Sequence, residues 1–406
     1  MSNGRGVCVV TIHGIGFQQP PHDGVPGYAD GLHAHLARVL RDKGVRLGSD
    51  PSRGHGPVYV RSAKPGTRDT EWGLSRLGTW NADGTAVGIA EAPLTAGDEP
   101  VTHVAVVYNP LEGVGPRLLS GGATLAEAGL RLGHYASVTG AIRLAISDTW
   151  TALHQGGAPL PHETPAVPRQ GQAPDVPPPS LRPRDDVAHG RPLLKPREAS
   201  GRPRRGAGLP GVIRTLEDDV VAYVARNDLR EPVRRFVAEV LRRVAARPDV
   251  EHVVVNAHSQ GTVVAFDVLR DYPAESRVRA LVTAGSPLRK YVDLFSWGGD
   301  AGGIQAMTWL NFWDARDPVA DPLDPPPDWH FGDAPVRAPG RLGLLWAAGD
   351  AGAQAPVTIR DRKVDNVRHS SAAGLRAHNY WGNTAEVIPA LGGVVENTLL
   401  AGTPVA

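Results

Sequence analysis

The chain of 406 residues contains one cysteine, Cys8. A single thiol excludes an intrachain disulfide, a CxxC redox pair and a zinc site built on cysteines. Cys8 lies inside the apolar run 7–12 and reads as a small buried hydrophobe. Net charge is nearly absent: 43 Lys and Arg against 42 Asp and Glu leave +1. No strong field exists to gather nucleic acid or an acidic partner. No stretch approaches the ~18 consecutive apolar residues of a membrane-spanning helix. The opening MSNGRG passes straight into a strand-like run, without the apolar core and cleavage site of a secretion signal. No internal repeat is visible. These absences set the expectation of a soluble, cytoplasmic protein, with the oligomeric state open.

Hydrophobic residues make up 41% of the chain, enough for one large domain or two small ones. Short apolar runs predict strands at 7–12, 58–61, 103–108, 252–256, 279–283, 308–313 and 357–360. Segments with helical spacing lie between many of them, such as 28–41 and 231–246. Strand and helix in alternation imply an α/β fold, a mostly parallel sheet flanked by helices. From 155 to 210 the character changes. About a third of the 37 prolines fall there, with many arginines and few large apolar side chains. Such a segment cannot bury enough surface to offset its ordering entropy, so it reads as a Pro/Arg-rich, disordered linker. The expectation is one domain formed by 1–154 and 211–406. Cap-like helices are expected at roughly 111–154 and 211–247, where 125–153 and 216–246 carry helical patterns.

The most informative stretch is VVVNAHSQGTVVAFDVL, residues 253–269. Val253, Val254 and Val255 suit a strand buried on both faces. The residues from Val263 to Leu269 suit a packed helix. Ser259 falls between them, with Ala257 and Gly261 two residues away on either side. This is the G-x-S-x-G strand–turn–helix pattern with alanine for the first glycine. The turn raises the serine hydroxyl at a helix N-terminus, where it can act as a nucleophile.

A serine nucleophile needs oxyanion donors, a base and an orienting acid. For the donors, Gln260 follows the serine. His13-Gly14-Ile15-Gly16 makes a glycine-punctuated loop after the first strand, with the Ile15 N–H preferred and Gly16 and Phe17 as alternatives. For the acid, carboxylates follow the strand 308–313 at Asp314, Asp317, Asp321 and Asp324. Asp317, in Asp-Pro-Val, is preferred and Asp314, read as a mainly solvated loop-edge carboxylate, is the alternative; the others read as solvated turn residues. For the base, chain order Ser–acid–His leaves His330, His369 and His378. His330 precedes the last strand. His378 is preferred to His369 because the rings of Tyr380 and Trp381 beside it can fix its loop.

These residues resemble an α/β-hydrolase-fold serine hydrolase of the lipase and esterase kind. The matching parts are His13-Gly14, Ala257-His258-Ser259-Gln260-Gly261, Thr283-Ala284-Gly285-Ser286-Pro287, Asp317-Pro318-Val319 and His378. They cover roughly 6–110 and 250–395. The resemblance implies acyl-ester hydrolysis through an acyl-enzyme, with no metal and no organic cofactor. The partner it implies is a small-molecule or lipid acyl substrate, with transient membrane contact through a cap as an option. Thioesterase, acyltransferase and phospholipase chemistry use the same framework. A non-catalytic binding protein on this fold is the reading from another class.

Overall fold

The computed structural model describes residues 6–14, 21, 26–62, 74–78, 94–95, 97–108, 223, 227–270, 277–289, 299–300, 304, 307–317, 319–323, 330–331, 334–335, 345–348, 354–356, 358–370 and 376–401. The expected linker at 155–210 and the cap-like helix at 111–154 lie outside them.

Seven strands form one sheet: β1 (Gly6–Ile12), β2 (Val58–Arg61), β3 (Val101–Val107), β4 (Val250–His258), β5 (Val278–Ala284), β6 (Thr308–Trp313) and β7 (Ile359–Lys363). Their spatial order is β7-β6-β5-β4-β1-β3-β2, and every neighbouring pair is parallel. The chain is thus of the α/β class, an open parallel sheet with flanking helices.

The valine-rich runs become strands because both faces of the sheet are covered. Alternate residues of β1 face opposite cores. Cys8, Val10 and Ile12 join one, with α2 (Asn227–Ala246) and α3 (Gln260–Leu269) over it. Val7 and Val9 join the other, under α1 (Asp30–Asp42) and α4 (Val387–Ala401). Cys8 is fully buried, and burial pushes its thiol pKa up to about 12. Helix α1 turns Leu32, Leu36 and Leu40 inward at four-residue spacing. All ten residues of α3 are buried; its one charged residue, Asp267, is paired with Arg230, Arg234 and Arg270. Helix α2 was expected within a cap segment; the structure lays it beside α3 in the layer against the sheet. None of the described helices is long and apolar enough to cross a membrane.

A polar thread crosses the α1 side of the sheet. Asn256 Nδ2 donates to Thr11 Oγ1 (3.3 Å), which lies 2.8 Å from His103 Nε2. His103 Nδ1 meets His33 Nδ1 at 3.2 Å, and His33 Nε2 meets Ser49 Oγ at 3.2 Å. One consistent set of roles keeps both rings neutral: Thr11 donates to His103, His103 to His33, and His33 to Ser49. Burial drives both imidazole pKa values down, that of His33 to about 4.

Strand order fixes where a site can form. On one side of β1 the chain first places β2 at the sheet edge and then β3 between them, and from β4 it builds the other way to β5, β6 and β7. The carboxyl ends of β1 and β4 therefore bound the crevice at which open α/β sheets bind ligands.

Candidate active site

Strand β4 ends at His258 and helix α3 begins at Gln260, so Ser259 alone makes the turn. Its backbone sits at φ 54° and ψ −130°, the only positive φ of a non-glycine residue among those described. Such a conformation costs on the order of 1–3 kcal/mol and persists where surrounding contacts enforce it. Here the Ser259 N–H donates to Ala284 O at 2.9 Å. Its carbonyl accepts from the Thr262 N–H at 2.9 Å and from Thr262 Oγ1 at 2.7 Å. Ser286 Oγ lies 2.7 Å from the same Thr262 hydroxyl and braces it.

The glycines of the motif answer to close approach. A Cβ on Gly261 would fall 2.4 Å from His13 O, and one on Gly14 would fall 2.4 Å from Ser259 Cβ. Ala257 is fully buried and pairs in register with Ile12 at the end of β1. Gly14 therefore lies directly against the serine side chain. Ile15, Gly16 and Phe17, the candidate donors of that loop, lie outside the described residues. Gln260 is buried at the first position of α3.

His378 belongs to the short turn Arg376–His378, and its Nδ1 lies 2.8 Å from Asp317 Oδ2. The carboxylate only accepts, so Nδ1 carries the proton, and in a neutral ring Nε2 then holds the lone pair. Nε2 is buried with no hydrogen-bond partner among the described residues. The ring rests on Gly285, whose φ is +65° and whose added Cβ would stand 2.8 Å from His378 Cε1. Since His258 pairs with Ala284 across β4 and β5, Gly285 flanks Ser259 and the imidazole stands beside the serine turn.

Asp317 lies beyond β6 and accepts from three donors. Oδ2 takes His378 Nδ1 and the Tyr380 hydroxyl (2.9 Å), and Oδ1 takes the Val319 N–H (3.0 Å). Burial alone would raise its pKa. The His378 ring outweighs that, helped by the Val319 and Tyr380 donors, and holds the carboxyl below its usual range.

Asp314 does different work. It was expected to be a solvated loop-edge carboxylate, but it is buried, as is Asp321. Asp314 Oδ2 accepts the Asn366 N–H at 2.7 Å and Oδ1 the Arg316 N–H at 2.9 Å. Its own N–H donates to the Tyr380 hydroxyl at 2.8 Å. Burial raises its pKa despite these bonds. Its carboxylate accepts these two backbone N–H groups and lies 3.6 Å from Arg316 Nε, which ties the strand end to the histidine loop. His369 ends a separate turn, Asn366–His369, and His330 lies in the two-residue strand His330–Phe331. Asp324 lies outside the described residues.

Several contributors were not read from the sequence as parts of the site. Asn366 Nδ2 donates to Ala377 O (2.6 Å) and so holds the residue before His378. His258 Nε2 reaches His378 O at 2.9 Å, and Tyr380 links Asp317 to Asp314. Of these, Tyr380 was read from the sequence, with Trp381, as a ring that fixes the histidine loop, but its bonds to the two aspartates were not. Rings close the flank: His13 stacks on Tyr108 (4.2 Å, 15°) and Tyr28 on Trp381 (5.8 Å, 30°). Burial lowers the His13 pKa to about 4. Among the described residues no group of three His, Cys, Asp or Glu is placed to hold a metal ion.

Comparison with protein-family models, with curated proteins and with solved structures found no match.

Proposed function

We propose that this chain is a serine hydrolase on an α/β-hydrolase fold, cleaving an acyl ester through an acyl-enzyme. One observation carries the reading. A serine held at φ 54° on a strand–turn–helix is bonded to Ala284, and the next residue, Gly285, lies against the ring of a histidine whose Nδ1 is bonded to a buried carboxylate.

In this reading Ser259 Oγ attacks the acyl carbonyl and His378 Nε2 takes its proton. Asp317 holds the imidazole in the Nδ1–H tautomer and stabilises the imidazolium. The N–H of Gln260 and that of Ile15 receive the oxyanion. His378 then protonates the leaving alkoxide. Water, deprotonated by the same ring, attacks the acyl-enzyme, releases the acid and returns the proton to Ser259. The substrate is a small-molecule or lipid acyl compound. Thioesters, acyl transfer to another acceptor, and phospholipid acyl chains fall within the same chemistry.

A fluorophosphonate probe tests the reading without knowledge of the substrate. The wild type should be labelled and Ser259→Ala should not. Labelling that survives in Ser259→Ala would remove Ser259 from the mechanism. A wild type that resists labelling would favour a binding protein on this fold.

A further inference from the structure

We infer that His258, the residue before the serine, is a positioning residue that sets where the imidazole of His378 stands. The inference rests on the serine hydrolase reading for its catalytic consequence. Its structural basis is separate.

A carbonyl only accepts, so the 2.9 Å contact from His258 Nε2 to His378 O assigns a proton to that nitrogen. Both partners are buried, where an unmade bond leaves a backbone carbonyl stranded. The bond joins residues 120 apart in sequence, one ending β4 and the other ending the turn Arg376–His378. The His258 ring also fills the gap between the two loops. Its centroid is 4.6 Å from that of His378 and 4.9 Å from that of Trp381.

The His378 ring is thus held at two places. Asp317 holds Nδ1 and so fixes its rotation. His258 holds the backbone carbonyl and so fixes its distance from the serine turn. Because His258 and Ser259 are consecutive, the clamp and the candidate nucleophile move together. The middle position of A-x-S carries no role in the general pattern; here its side chain does.

Two substitutions separate the hydrogen bond from the ring. His258→Phe keeps a ring and loses the donor, whereas His258→Gln keeps an N–H donor at similar reach. The proposal expects the fluorophosphonate labelling rate of His258→Phe to fall roughly 10- to 100-fold, as for a catalytic group misplaced by about 1 Å. His258→Gln should recover most of it. The low-field Nδ1 proton resonance of His378 should broaden or vanish in His258→Phe and persist in His258→Gln. Circular dichroism of each variant reports whether it is folded. Equal losses in both variants, or an unchanged resonance and rate in His258→Phe, would overturn the proposal. Should the wild type resist labelling, the hydrolase reading fails, and the resonance alone still decides whether His258 positions the ring.

Discussion

Asp317 Oδ2 meets His378 Nδ1 at 2.8 Å, whereas Asp314, three residues earlier, spends its carboxylate on the backbone N–H groups of Asn366 and Arg316. The two aspartates should therefore fail differently. Asp317→Asn presents an amide that can stabilise the wrong imidazole tautomer, and turnover should fall by on the order of 10⁴. Asp314→Asn sets an NH2 group against a backbone N–H. It should cost about 1–3 kcal/mol of stability with a much smaller loss of turnover. Ester kinetics beside urea unfolding compares them, and a reversed pattern would make Asp314 the acid.

Gly285 is tested by Gly285→Ala. The added methyl must occupy a φ of +65° and enter the space of His378 Cε1. The expected result is a folded protein whose fluorophosphonate labelling is slowed about 10²-fold. Labelling at the wild-type rate would show that the ring does not depend on this glycine.

Tyr380→Phe removes a donor from Asp317 and an acceptor from the Asp314 N–H. Hydrogen bonds to charged groups contribute about 1.5–3 kcal/mol, so both activity and stability should fall, turnover by roughly tenfold. A variant with full activity and an unchanged unfolding midpoint would mean that neither bond matters.

Acid should unfold this protein early. His13, His33, His103 and His258 are buried, and burial lowers the pKa of each, to about 4 for His13 and His33 and about 3 for His258. The unfolded chain takes up protons near pH 6.5 that the folded chain refuses until about pH 4. The stability held by the neutral rings is complete above pH 6.5 and is lost as pH falls from there. Each ring can contribute up to about 1.4 kcal/mol per pH unit. Urea midpoints at pH 7 and pH 5 measure this; equal midpoints would show that the rings are protonated in the folded state.

The frame was legible because its signals are local. The runs at 58–61 and 308–313 match β2 and β6 end for end, and the other strands lie within a few residues of their runs. Helix α4 was not read from the sequence, since Pro389, Gly392 and Gly393 argue against a helix; packing of Val387, Ile388, Leu391 and Val395 on the sheet overrides propensity. Spacing alone left Asp314 and Asp317 as rivals, because three residues on one loop can face opposite ways. The burial of Asp314 and Asp321 was misjudged because the groups that cover Asp314, Asn366 and Tyr380, lie 52 and 66 residues further along the chain. The same distance hid His258 and Gly285, whose roles exist only once the histidine loop arrives.

Strands β1 and β4 touch at the centre of the sheet, yet Thr11 and Asn256 are 245 residues apart. Closing a loop of that length in an unfolded chain costs about 5 kcal/mol, and each halving recovers only about 0.6 kcal/mol. Length is therefore cheap at equilibrium and expensive in time, because non-local parallel pairing slows folding. Until that ladder closes, Gly14 and Ser259 belong to separate halves of a newly made chain. The proposed site would then assemble late in refolding, in step with β1–β4 pairing and after the secondary structure has formed.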